Sequence, residues 1–297
     1  AEVAEGQVWY NGTDFKTSVK VTAWSAGGAL NTARHALGGA GIQTAALAFG
    51  GRISSTARTA NSEEYNGSSW SEGNNLGTVR HILAGCGTQT AGLGFAGYTT
   101  TSVGLTEEYD GTSWAEQNDM NTARRSLAGA GIQTAALAFG GNPGPDSGKT
   151  EEYDGTSWTE QNDMSPGHAE FAGCGTQTAA LAIGAGSPGN ANVKEYNGTS
   201  WTTGGSLGTG RYTAGATGIQ TAALAFGGNE PPVTVATEAY DGSSWTTQPN
   251  MATARAELAG ALSAPNTLSL AFGGTPPIRN LTEEFTEAAT VKVITDS

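Results

Sequence analysis

Between Thr122 and Trp158 the chain reads TARRSLAGAGIQTAALAFGG, a loop, and then KTEEYDGTSW, and this unit returns along nearly the whole sequence. Six copies of the QTAALAFGG segment end at Phe49, Phe95, Phe139, Ile183, Phe226 and Phe272, spaced 46, 44, 44, 43 and 46 residues apart. Tryptophans at Trp24, Trp70, Trp114, Trp158, Trp201 and Trp245 keep the same beat. A period in the forties is the mark of propeller blades or of helical repeats. The segments within one period are short, bounded by glycine and too glycine-rich for a helix of ordinary length, so the strand reading stands.

Four strands fit one unit: SLAGAGI (strand A), TAALAFG (B), TEEY (C) and SWTEQ (D). Between C and D lies Asp154-Gly155, repeated as Asn66, Asp110, Asn197 and Asp241 with their glycines, and this pair predicts a two-residue hairpin. A four-stranded antiparallel sheet of this kind cannot bury both faces alone. Stacking six of them around an axis does so and leaves few free edges.

The landmarks are Gly-Gly after an apolar strand, a Tyr with Asp or Asn beside it, a Trp five residues past the Tyr and an Arg ten past the Trp. This pattern, over about residues 24 to 285, resembles the kelch repeat. The resemblance implies an all-β, six-bladed kelch-type β-propeller with four antiparallel strands per blade. The wording NTAR…AGAGIQTAALAFGG…TEEYDGTSW is also similar to kelch-like arrays in bacteriophage virion structural and tail-fibre-type proteins. That likeness implies a virion or extracellular location, several copies in a larger assembly, and other virion subunits as partners.

Counting strands predicts how the ring closes. The copy after Arg255 has strands A, B and C, the last at Leu281 to Phe285, but no following Trp, whereas Trp24 precedes the first copy. The N-terminal strand at Trp24 is therefore expected to complete the last blade, with the tail TVKVITDS as the competing occupant of that slot. The corresponding boundaries are an accessory N-terminal hairpin or arm over 1–23, the propeller over 24–287 and a strand-like tail over 288–297.

A net charge of −13 argues against a nucleic-acid groove and against anionic membranes. No apolar run is long enough for a transmembrane helix, and residues 1–10 lack a signal-peptide pattern. Cys86 and Cys174 occupy one repeat phase two blades apart, beyond disulfide reach, and read as small buried hydrophobes.

One slot, which is expected to start strand A, carries chemistry: Arg34, Arg80, Arg124, His168, Arg211 and Arg255. With strand A innermost, these cations are expected to ring the channel mouth, where they would grip an anionic ligand or find counter-charges. Strand C offers counter-charges in its own fixed slot: Glu63, Glu107, Glu151, Glu238 and Glu283, with Lys194 in the copy that has His168. Strands A and C lie about 9.6 Å apart across strand B, within reach of an extended Arg and a Glu. Structural ion pairs are the leading expectation and ligand capture the alternative. His35 and His81 fall one position later than His168, so no metal site is expected.

No catalytic residue, metal or cofactor emerges from these patterns. The DGTSW turn lacks the serine of a sialidase Asp-box, and no Tyr, His and Cys set matches a copper oxidase. Divergence concentrates in the B-to-C loops RISSTARTANS, YTTTSVGL, NPGPDSGK, SPGNANV, NEPPVTVA and TPPIRNL, which share a face with the Arg slot. Loops on a rigid scaffold are where recognition is placed. The reading is a non-enzymatic structural or recognition module that binds a cell-surface glycan or another virion protein. The alternative is a sialidase-like glycan hydrolase using the axial Arg ring.

Overall fold

The computed structural model describes residues 6–186 and 189–294. Thus Ser187 and Pro188 of one variable loop, residues 1–5 of the N-terminal arm and residues 295–297 of the tail lie outside the described residues. Six antiparallel sheets stand around an axis, forming a six-bladed β-propeller. Blade 3 shows the plan: Ala128–Ile132, Ala135–Phe139, Thr150–Tyr153 and Trp158–Gln161 run from the axis outward as strands A to D. The A strands pack on one another around the axis, and the last, Ala259–Gly260, returns to the first, Gly38–Ile42.

Close packing at the axis explains the small residues of strand A. A Cβ on Gly85 would sit 2.4 Å from Cζ of Phe49 in the preceding blade and 3.0 Å from the Gly39 carbonyl oxygen. Bulk is supplied instead by strand B and D aromatics that interlock between blades. Trp114 lies 4.9 Å from Phe49, Trp158 5.0 Å from Phe95, and Trp24 5.2 Å from Phe226, as ring centroids. Cys86 and Cys174 are free and buried among these layers.

The ring closes through the N-terminal strand. Phe15–Ala26 pairs antiparallel with Thr282–Val293, setting Trp24 opposite Phe285, and so supplies strand D of the last blade. TVKV does not fill that slot, because it is the outward continuation of strand C. Pairing runs from Ala26↔Glu283 to Lys16↔Val293, so the strands continue past the blade as a ribbon, and Val8–Tyr10 adds a third strand. The arm and the tail are thus one sheet.

Two local expectations are corrected. The C-to-D connection has four residues, since Tyr109 pairs directly with Trp114, and only the glycine, Gly111, has positive φ at 88°. The Asp110 carboxylate accepts the N–H groups of Thr112 and Ser113, and this wider turn replaces the two-residue hairpin. Strand A begins at Gly38, four residues after Arg34, because a turn at the axis intervenes.

Every blade but the last is bolted to its predecessor by the same three side chains. Gln89 Nε2 donates to the carbonyls of Ala46 and Tyr65, the Trp114 indole donates to Ser62 Oγ, and the Tyr109 hydroxyl donates to Glu64 at 2.5 Å. The closing joint repeats the set, with Gln43 on Ser269 and Phe285, Trp70 on Thr282 and Tyr65 on Glu284 at 2.6 Å.

Burial, then the bond to Glu284, pushes the Tyr65 hydroxyl up to about 12 from its ordinary 10.0. A folded-state value above the unfolded one means stability fully present below pH 10 and lost as pH rises toward about 12. Wild type should therefore lose melting temperature relative to Tyr65→Phe across that window and not below pH 9. Parallel thermal melts of the two proteins, with no convergence between pH 9 and pH 12, would refute the linkage.

Candidate functional site

The Arg slot precedes strand A on the segment entering each blade, and all five guanidinium-bearing residues are fully buried. Each reaches across the end of strand B to the carboxylate in strand C of its own blade. The distances are 3.0 Å for Arg34–Glu63, 2.5 Å for Arg80–Glu107, 3.3 Å for Arg124–Glu151, 2.7 Å for Arg211–Glu238 and 3.1 Å for Arg255–Glu283. The crossing passes over the end of strand B, Gly-Gly in four of these blades and Ala96-Gly97 in the other, and the Gly50 and Gly273 carbonyls there serve Arg34 and Arg255 as further acceptors. Arg34 Nη1 donates to the Gly50 and Asn61 oxygens. The carboxylates also hold the incoming loop, with Glu63 accepting from Asn31 N–H at 2.6 Å and Glu151 from Asn121 N–H at 2.7 Å.

Burial pulls these guanidinium pKa values down, and the paired carboxylates oppose that loss. A charge so placed is stable only with its partner. Blade 4 has neither member of the pair: His168 packs against Phe171 at 6.2 Å, and Lys194 Nζ turns to Thr203 Oγ1.

This geometry corrects the expected position of the ring. The guanidinium groups lie inside the blades, not around the channel mouth. What encircles the axis is the residue two positions later: Ala36, Ile82, Ser126, Glu170, Thr213 and Glu257, all with φ between 47° and 66°. Each donates its N–H to the carbonyl of its counterpart in the preceding blade, at 2.7 to 3.1 Å, and Ala36 closes the circle onto Glu257. Left-handed backbone costs an L-residue about 1–2 kcal/mol, so the circle holds six strained residues by one continuous set of hydrogen bonds.

Inside the circle lies a cavity of about 160 Å³. Its floor includes Leu262, which also lines a second cavity of about 420 Å³ under blades 3 to 5. Leu262 belongs to a lengthened A-to-B connection in the last blade, pinned by Ser263, whose N–H donates to Gly41 and whose hydroxyl donates to Gly87. The mouth has an acidic side, where burial followed by the charges of Glu257 and Asp146 pushes the Glu170 carboxyl up.

Its other side is basic. His35 bridges to Arg52, Arg52 to Arg58, and His81 to Tyr98 by backbone pairing, and Arg125 begins the third blade beside them. The guanidinium carbons of Arg58 and Arg125 lie 5.4 and 4.9 Å from the Tyr98 ring centroid. Sequence reasoning passed over this group. Arg52, Arg58 and Tyr98 stood in the variable loops, but residues about 20 to 45 positions apart become neighbours only when blades 1 to 3 are set side by side. The three histidines have separate partners: His35 contacts Glu257 at 2.6 Å, His81 contacts Arg58, and His168 contacts Phe171.

No family model matches the chain, and no curated protein matches it. The fold itself places it in a class, the six-bladed β-propellers.

Removing one member of a buried pair strands the other. Arg34→Ala should cost about 3–5 kcal/mol, and adding Glu63→Ala should recover part of that loss. Denaturant melts of the full double-mutant cycle decide it, since strictly additive losses would mean that the two side chains do not depend on each other.

Proposed function

We propose that this propeller is a kelch-type, non-enzymatic recognition and structural module, a virion component of a bacteriophage that acts outside the cell. It binds a cell-surface glycan or another virion protein through the B-to-C loop face. One observation carries the reading. Blades of near-identical strands, joints and ion pairs present loops that differ in length and chemistry on a single face, around the channel mouth. The virion setting rests on the likeness of the repeat wording.

A hydrolase has lost the guanidinium ring on which it was to depend, since those groups are buried in ion pairs. The observation that still favours it is Glu170, a carboxyl held above its ordinary range beside Glu257 in a concave mouth. Glycan-array binding run beside an assay for released reducing sugar separates the two. Binding without turnover, lost on exchanging loop residues 52–61, is expected; turnover abolished by Glu170→Gln would establish the hydrolase instead.

The opposite requirement, attachment, falls to the ribbon. Val8, Tyr10, Phe15, Val21, Val291 and Val293 are exposed on it, and among the described residues no further strand lies beside its outer edges, which leaves edges of the kind that pair with another chain. The ribbon mounts the propeller on copies of itself or on a larger particle. Mass measured in solution should fall to the monomer when Phe15→Ser, Val291→Ser and Val293→Ser are combined in the full chain. A full chain that is already monomeric at high concentration would remove self-association from this role.

A further inference from the structure

The distribution of positive charge is uneven in a way that the repeat does not require. Of 14 Lys and Arg residues in a chain of net charge −13, five arginines are consumed in the internal pairs. Four arginines remain, and three of them, Arg52, Arg58 and Arg125, gather on the loop face of blades 1 to 3, while Arg279 sits in the last blade. Among the described residues, none of these three has a carboxylate within ion-pair distance.

Their bonds orient the guanidinium groups without neutralising them. Arg58 Nε donates to His81 Nδ1 at 3.1 Å, which makes that nitrogen an acceptor. The nearby Tyr98 carbonyl oxygen is then not its partner, although it too is 3.1 Å away. Burial and the charges of Arg52, Arg58 and His35 outweigh the opposing effect of that carbonyl and hold the imidazole down to about 4, hence neutral. Arg125 Nη1 donates to Ser102 Oγ at 3.2 Å, and Arg52 Nη2 donates to the Ser55 carbonyl. Among the described residues, Arg52 Nε is buried with no protein acceptor. Like charges assembled around one tyrosine repel, and an arrangement of this kind is relieved by an oxyanion.

We propose that Arg52, Arg58 and Arg125 form the anion subsite for an acidic saccharide, gripping a carboxylate or sulfate group while the surrounding loops meet its hydroxyls. This rests on the recognition reading and narrows its ligand. The rim favours a saccharide over an acidic peptide: exposed Ser55, Thr56, Thr100 and Thr101 offer short hydroxyl donors and acceptors. Nucleic acid is opposed by the charge of the whole molecule.

Calorimetry with the full chain tests it, using an oligogalacturonate, a sulfated oligosaccharide, a neutral oligosaccharide of equal length and an oligoglutamate peptide. One or both acidic saccharides should bind, identifying the carboxylate or the sulfate as the group held, and the neutral one should not. Arg58→Gln and Arg125→Gln should each weaken that binding by at least about tenfold, with unchanged melting temperature, and Arg279→Gln should leave it unaltered. Equal affinity in the Arg58 and Arg125 variants, failure of both acidic saccharides, or tighter binding of the peptide would each overturn the subsite. Neutral glycans captured on an array by loops whose arginines do not matter would overturn it while leaving recognition intact. An array with no hits would sink the recognition reading itself.

Discussion

The structure depends on one joint used repeatedly, the contact by which each blade reaches back to the one before it. A propeller blade has two faces to bury and too few large side chains to do it by oil alone, since its inner strands are mostly glycine and alanine. The joint supplies direction as well as burial. A glutamine amide, an indole N–H and a phenol each find a fixed acceptor across the interface, and a polar group that misses its acceptor inside such an interface costs about 1–3 kcal/mol. A blade rotated or slipped out of register therefore loses several bonds together.

The exceptions obey the same rule. In blade 4, Arg and Glu are absent together, as His168 and Lys194. Between blades 5 and 6, hydroxyl and carboxylate are absent together, as Phe285 and Ala239. Strand C of blade 4 starts with Val193 instead of a hydroxyl residue, and the Trp245 indole donates to the Gly205 carbonyl instead. Buried polar groups are kept or lost as pairs because the cost falls on the unpaired state. The joint between blades 5 and 6 also lacks the glutamine, since the last blade spends that turn on the insert carrying Leu262 and Ser263. It retains the Trp24 indole on Thr237 and a Thr217–Ser269 hydroxyl contact of 2.5 Å.

Stability and recognition are separated in space by this design. The arginines that brace each blade from within sit beneath the surface, and a different set, drawn from loops free to vary, stands above them. The channel mouth divides into an acidic side at Glu170 and Glu257 and a basic side at Arg52, Arg58 and Arg125, with His35 touching Glu257 between them. A ligand approaching this face meets a charge pattern that the six-fold repeat would average away, so its specificity comes from departures from the repeat.

The sequence by itself determined the number of blades, the strands within each, the closing role of Trp24 and the partners Arg34–Glu63 through Arg255–Glu283. All of these are local or periodic: spacing, turn residues and paired slots recur often enough to be read without coordinates. Tertiary structure alone decided where the paired arginines lie. A slot before strand A looks axial on a linear map, yet the left-handed turn at Ala36 and its counterparts sends the Arg side chain inward to the blade and its own side chain to the mouth. The basic group around Tyr98 was likewise invisible, because Arg52, Arg58, His81 and Arg125 come from three different blades. Their neighbourhood is created by the curvature of the ring, which no single repeat contains.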